Sequence, residues 1–478
     1  VNVPEARAAA GTEGDPVKVV YDVPGVARSA FESGKLIIWG AAPEDTRVYV
    51  DGIEIPQLFH GSAIRSTVNG DLLQRVTMTP GAYAADYGRG IGGIVRVETR
   101  DLPASGLHGY VAADALDGSA MVSAAASERV RVAIAGRYGW LDRVLGAVSA
   151  PDVGDYVAIP RYSDYQAKVQ IAWREEESLD AVVLGSADDL ARVIPDVAPS
   201  RVRRETTGSS FQRAYLRYRR RLGDGSEIDV APWIGRDTSH LDERFGAIPA
   251  QLDQQAWRWG LRASRRSRVA PQVDLGFGLD VDGSDAHIAR NGSMTIPSRE
   301  GDITVFGQRP GDDTNADTWD ATVIDVAPYA QIDVGLGALA LDAGLRFDAV
   351  LLETSRQTPR VGETPSIGLS RLDGEVQPRL AGHLRISPRL SAFAAAGLYA
   401  QPPAPSDRSA VFGTPSLGPE RAQHVSAGET LELTDTLSAE VTTFYKWMTD
   451  LAVRDPSSTP RLAQALLQDG VGRSYGVQ

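Results

Sequence analysis

No apolar run in this chain approaches the roughly 18 to 20 residues that a membrane-crossing helix needs. Yet from His108 to Gln478 it alternates apolar with polar side chains in about sixteen segments, many near ten residues long. Strands of soluble sheets average about five or six residues, whereas tilted strands that cross a bilayer need about nine to eleven. Ala256 to Ser264 puts Trp257, Trp259, Leu261 and Ala263 on one face and Arg258, Gly260, Arg262 and Ser264 on the other. Phe211 to Arg219 opposes Ala214, Leu216 and Tyr218 to Arg213, Arg217 and Arg219; further on, Leu345 and Phe347 oppose Arg346 and Asp348. A soluble sandwich would show the same period of two, burying its apolar face and wetting the other. The connections separate the two architectures. Ser127-Glu128, Glu175 to Glu177, Leu222 to Gly225, Gly337 and Pro388 are short, while 141–161, 188–210, 236–253, 351–374 and 401–421 are long, and the two kinds alternate. An outer-membrane barrel sorts its turns and loops in this way, and a sandwich has no cause to. Without a spanning helix, only a closed barrel can cross a membrane. Residues 107 to 478 are therefore expected to form an antiparallel transmembrane β-barrel, with Trp257, Trp259, Leu261, Leu345 and Phe347 facing lipid and Arg258, Arg262, Arg346 and Asp348 facing the lumen.

Residues 1 to 103 follow a different pattern and read as a separate α+β domain. Val48 to Ile55 alternates on either side of Asp51-Gly52, which predicts a strand, a tight turn and a second strand. Gly88, Gly90, Gly92 and Gly93 remove side chains where one backbone must approach another or take positive φ. The cluster is wrong for a nucleotide loop, because the chain runs from Gly93 into the alternating segment Ile94 to Glu98 and no helix is predicted there.

Composition narrows the function. There are 0 cysteines, so disulfides, thiolate metal sites and cysteine nucleophiles are excluded together. The net charge of −13, from 49 basic and 62 acidic residues, argues against nucleic acid as a partner. The 6 histidines show no paired metal-ligand spacing, and no nucleophile motif, paired-carboxylate signature or cofactor fingerprint stands out, so an enzyme is not expected. No cofactor is called for either. In the longest connection, 284–322, Asp312, Asp313, Asp317 and Asp320 could chelate calcium, but calcium-loop spacing is absent and a solvated acidic loop is the favoured reading.

Several pieces, in order, resemble the TonB-dependent outer-membrane receptors. They are Val23-Pro24-Gly25-Val26, Leu36 to Gly40, Val48 to Pro56 and Arg75 to Val97 in the first hundred residues. Towards the far end come Tyr399 to Pro403, Leu417 to Ala422, Thr443 to Leu451 and Gly472 to Val477. The resemblance implies a plug, residues 1 to 103, in the lumen of a barrel of 22 strands, of which about sixteen are visible before Gln478, so that about six more are expected beyond it. Nothing before Gly14-Asp15-Pro16 resembles an energy-coupling box. The resemblance further implies a bacterial outer-membrane location among lipid, capture of a scarce bulky extracellular ligand, and a TonB-type energy transducer of the inner membrane as partner. Such a plug should be held by separable polar contacts rather than a continuous hydrophobic core. Arg89 and Arg96 on the plug and Glu440 on the barrel are the residues expected in that interface. Phe59, His60 and Tyr83 are expected at plug apices that grip the ligand, against the alternative that the two aromatics only anchor the plug. Two positions depart from the family: Trp39 stands where arginine is usual, and Ser426 where glutamate is frequent, so both partners of the family's ionic latch are absent together. That departure keeps open a second reading, a non-transporting outer-membrane scaffold or adhesin barrel.

Overall fold

The computed structural model describes residues 3–9, 11–28, 34–148, 161–194, 196–198, 202–294, 311, 313–359, 366–455 and 465–478. Near the N-terminus, β1 (Val26–Arg28) and β2 (Leu36–Ile38) pair as a short antiparallel ribbon. A four-stranded sheet follows, made of β3 (Arg47–Val50), β4 (Ile53–Ile55), β5 (Leu73–Thr79) and β6 (Ile94–Thr99) in the order β4-β3-β6-β5. Asp51 and Gly52 join β3 to β4 with φ of 51° and 86°, the positive values a two-residue hairpin turn requires. Only β3 and β6 run parallel. The glycine cluster leads into β6, and Gly92 donates to the Asp45 carbonyl at 3.0 Å, a backbone approach that a side chain would block.

The rest of the chain is one sheet of sixteen strands in chain order, from β7 (Leu107–Ala113) to β22 (Leu466–Val477), every neighbouring pair antiparallel. Its two edges, β7 and β22, are not paired with each other among the described residues. It wraps the N-terminal domain, which contacts strands from one side of the wall to the other: Lys168 reaches Thr99, Arg213 reaches Glu54, and Arg379 reaches Tyr87. The faces sort as the alternation predicts. Trp257 and Phe347 are 56 % and 41 % exposed on the outer face, whereas Arg346, next to Phe347 on the same strand, is fully buried inside. Leu261 is only half-buried on the outer face. Among the described residues no helix is long and apolar enough to cross a membrane.

Two of the expected long loops are largely strand. β13 (Glu227–Phe245) and β14 (Ile248–Ala270) continue through 236–253, with only Gly246 and Ala247 between them. β15 (Val273–Ser293) and β16 (Thr314–Leu336) likewise take up both ends of 284–322. The reason is physical: β14 and β16 are 23 residues long, about twice a bilayer crossing, and beyond the hydrocarbon a paired strand needs no apolar face. Its ladder satisfies the backbone while the outer face turns polar, as at Asp285, His287 and Asp320, and the inner face buries Ile288 and Trp319. The connection after residue 140 opens with a helix, α1 (Leu141–Val148).

Candidate functional site

The wall presents two different surfaces to the plug. Against β11 (Glu177–Ile194), β12 (Arg203–Arg221) and β13 the contact has an apolar core. Val182, Leu184, Phe211, Tyr215, Ala231 and Trp233 join Ile53, Ile55, Leu58 and Phe59 of the plug in a single buried cluster. This corrects the expectation of separable polar contacts in place of a hydrophobic core. Removing such side chains from water stabilises by about 1.5–3 kcal/mol each, and a plug held in place most of the time needs some of that.

Against β14 to β17 the contact is ionic. Arg89, at φ 59° in the glycine cluster, places Nη1 2.8 Å from Asp280 and 3.5 Å from Asp325. Arg346, on β17 (Leu339–Thr354), reaches Asp348 at 2.6 Å and Asp280 at 3.1 Å. A Cβ at Gly88 would collide with that guanidinium, so glycine is required where the plug backbone meets the wall. Arg258 binds Asp282 at 2.9 Å, and Arg262 lies 4.4 Å over the Tyr87 ring. On the plug side, burial pushes the Glu54 carboxyl up, but Arg47, Arg258, Arg89 and Arg213 around it outweigh that and hold it below the ordinary carboxylate range.

A third contact clasps the plug through His60. Its Nδ1 lies 2.9 Å from Asp188 and its Nε2 3.1 Å from Asp164, with the Tyr162 ring tilted over it at 4.5 Å. Burial pulls the imidazole down, but the hydrogen bonds and charges of Asp164 and Asp188 prevail and leave it raised above 6.5.

Phe59, His60 and Tyr83 are therefore not open apices. Phe59 and His60 are 0 % exposed and Tyr83 2 %, enclosed by the wall. Tyr83 donates to the Gly90 carbonyl, accepts at its own carbonyl from Tyr399 at 3.0 Å, and lies under the Arg379 guanidinium. A loop residue of a domain held inside a barrel has wall on its far side, so position at a plug turn does not mean contact with solvent. Arg96 lies 5.5 Å over the Tyr87 ring and lines a separate polar cavity between plug and wall with Arg217 and Arg262. Glu440 has the inward parity but is exposed near the end of β21 (Leu437–Arg454), where its hydrogen bond comes from Thr442 at 3.3 Å. The plug contact on that strand is two turns of the pleat higher, at Phe444 and Lys446.

There, Trp39 stacks on Phe444 at 4.1 Å and 5°, with Lys446 Nζ 5.7 Å from the ring centroid. Its indole donates to Gln478 Oε1 at 3.1 Å, and Ser474 donates to its carbonyl. Ser426, buried on β20 (Glu420–Thr434), leaves no stranded charge opposite Trp39. Among the described residues, the aspartates of the acidic connection have partners of their own. Asp317 is bound by Arg356 at 3.1 Å and by the Ser409 hydroxyl at 2.7 Å, Asp320 pairs with His287 at 2.7 Å, and Asp312 lies outside the described residues.

Above the ionic contact, at the end of the barrel where the long connections lie, opens a cavity of about 430 Å³. The plug contributes Arg47, Glu54, Gln57 and Arg89 to it, and the wall contributes Phe211, Asp237, Arg258, Asp282, Ser284 and Asp325. Prolines 402, 403 and 405 close its rim. The sequence reading missed Asp280, Asp282 and Asp325. Alternation in Leu279-Asp280-Val281-Asp282 puts both aspartates on the lumen face, but polar residues are usual on that face, so the pattern does not single them out.

Residues 3–94 match the TonB-dependent receptor plug domain model, and residues 154–478 match the TonB-dependent receptor-like β-barrel model. The chain belongs to the TonB-dependent receptor family. Members of that family are bacterial outer-membrane proteins, receptors and transporters rather than enzymes. Among solved structures, the chain is similar to the copper transporter OprC, with a TM-score of 0.72 at 12 % identity, covering 96 % of this chain and 72 % of that one. It is also similar to the unliganded ferric citrate transporter FecA (0.69, 14 %, 96 % and 70 %). The siderophore receptor PirA from Pseudomonas aeruginosa matches over 100 % of this chain and 80 % of its own, with a TM-score of 0.66 at 13 % identity. At these identities the likeness is one of fold. None of the curated proteins matches the chain.

Proposed function

We propose that this receptor takes up a scarce, bulky extracellular ligand, seating it in the outward cavity above Arg89 and releasing it inward when a TonB-type inner-membrane transducer pulls on the plug. The cavity carries the reading. Its volume of about 430 Å³ is that of a ligand site, and its floor is the plug itself. A ligand bound there touches the part that must move. The ionic contact beneath it can separate into water without exposing apolar surface, which suits a gate that opens and recloses. Similar structures named for copper, ferric citrate and siderophore transport support uptake as the activity, and the ligand class of this chain is taken up below.

The test compares cells with and without the full-length protein, each with and without the energy transducer, by mass spectrometry of solutes depleted from the medium. Depletion that needs both proteins is expected. Depletion indifferent to the transducer, or none at all, would leave the sealed scaffold barrel as the better reading.

A further inference from the structure

Hydrogen-bond accounting in the outward cavity gives it a preference. Every cation on its lining is already committed. Lys35 pairs with Glu44 at 3.4 Å, Arg47 donates to the Arg89 carbonyl at 2.7 Å and faces Glu54 at 3.4 Å, Arg258 binds Asp282 Oδ1 at 2.9 Å, and Arg89 binds Asp280 at 2.8 Å. The acceptors are not used up. Asp325 is 0 % exposed, lines the cavity, and accepts a hydrogen bond at neither carboxylate oxygen; its nearest guanidinium nitrogens stand at 3.5 and 3.6 Å. Asp282 Oδ2 and Gln401 Oε1, also buried and on the lining, accept none either. A buried acceptor without a donor is costly, and a carboxylate more so than an amide. Two donors are left over as well, the Nε groups of Arg89 and Arg258, but both guanidinia already face Glu54, at 3.8 and 3.9 Å. An anion would have to compete there with Glu54, Asp280 and Asp282.

We propose that the ligand presents an organic cation, a protonated amine, to Asp325, Asp282 and Gln401, an inference that rests on the cavity being the ligand site. An ammonium group brings three donors and no acceptor, which matches an excess of acceptors. A bare metal ion fits less well, because among the described residues no three histidine or carboxylate side chains converge as a metal site requires.

The probes are three five-carbon compounds of equal reach: cadaverine, 1,5-pentanediol and glutarate. Each is titrated calorimetrically into the full chain in detergent. Cadaverine alone should bind, Asp325→Asn should weaken it about tenfold or more, as loss of a charge-assisted hydrogen bond does, and Asp320→Asn on the outer rim should not change it. If Asp325→Asn does not fold, Asp282→Asn serves in its place. Binding of glutarate, equal binding of cadaverine by the variant, or displacement of cadaverine by calcium would overturn the proposal. Ser284→Trp, which fills the cavity, separates this inference from the one beneath it. Uptake lost in that variant while cadaverine shows no preference leaves the cavity reading standing and removes the amine; uptake unchanged in that variant removes both.

Discussion

Two of the plug's contacts with its barrel are of opposite chemistry, and the contrast says which of them parts more readily. Against β11 to β13, Leu184, Phe211 and Trp233 close on Ile53, Leu58 and Phe59, and parting them would wet apolar surface with nothing gained in return. Against β14 to β17, Arg89 and Arg346 share Asp280 and Asp325, and the partners of a parted ion pair recover their hydration. The outward cavity stands over the second contact, with Arg89, Arg258, Asp282 and Asp325 in its lining. A ligand there can therefore bias the contact that separates most readily, while the apolar one retains the plug. The chain has 0 cysteines, so a single cysteine at buried Ala85 would be its sole thiol, and the urea dependence of its alkylation would report plug opening.

The largest effect is expected from removing one partner of the buried charges. Arg89→Met leaves Asp280 and Asp325 short of a guanidinium, and breaking a buried pair in this way costs about 3–5 kcal/mol. Alkylation at Ala85→Cys should shift to markedly lower urea, and adding Asp280→Asn should recover part of the loss. Arg89→Met opening no sooner than the parent would mean that the ionic contact does not hold the plug.

Leu184→Ala probes the other contact. Leu184 is 1 % exposed and belongs to the cluster that spans plug and wall, so truncation removes transfer free energy and leaves a cavity, about 2–5 kcal/mol in total. If the two contacts act independently, Arg89→Met and Leu184→Ala together should cost their sum to within about 0.5 kcal/mol. A clear shortfall in the double variant would show instead that the plug leaves both faces in one step.

The strand faces and the Asp51-Gly52 turn were legible because each is local: a period of two puts Trp257 out and Arg258 in, and a dipeptide sets the turn. The site was less legible because its partners are distant in sequence. Nothing near Arg89 names Asp280, and nothing near His60 names Asp164 or Asp188. Glu440 shows the limit of parity, which gives the face of a strand and not the height at which the plug meets it. The strands above the membrane were read as loops because their outer face is polar, as at Asp285, His287 and Asp320, while the apolar residues Ile288 and Trp319 lie inside, so the lipid-facing signal ends there. Phe59 illustrates a further limit: hydrophobicity is the same whether an aromatic packs against its own domain, the wall or a ligand.

The smallest expected effect is a pH dependence at the His60 clasp, which adds a titrating charge to the comparison. Asp188 on β11 and Asp164 on β10 (Arg161–Arg174) accept from its two ring nitrogens, Arg137 on β9 (Val130–Gly139) also binds Asp164, and Tyr162 covers the ring. Both ring nitrogens can donate only when the imidazole is charged. Burial alone would lower its pKa, but the two aspartates reverse this and set the folded value above the ordinary 6.5. The stabilisation is thus complete below the unfolded value near 6.5 and is lost as pH rises through the higher folded one. Neutral His60 keeps one donor of the two, so the loss should be smaller than that of Leu184→Ala. Alkylation of Ala85→Cys, compared at equal thiolate fraction, should need less urea in mildly alkaline buffer than at pH near 6.5, and His60→Gln should flatten the dependence. A profile that keeps its slope in His60→Gln would place the titrating group elsewhere in the interface and leave the clasp as a hydrogen-bond contact alone.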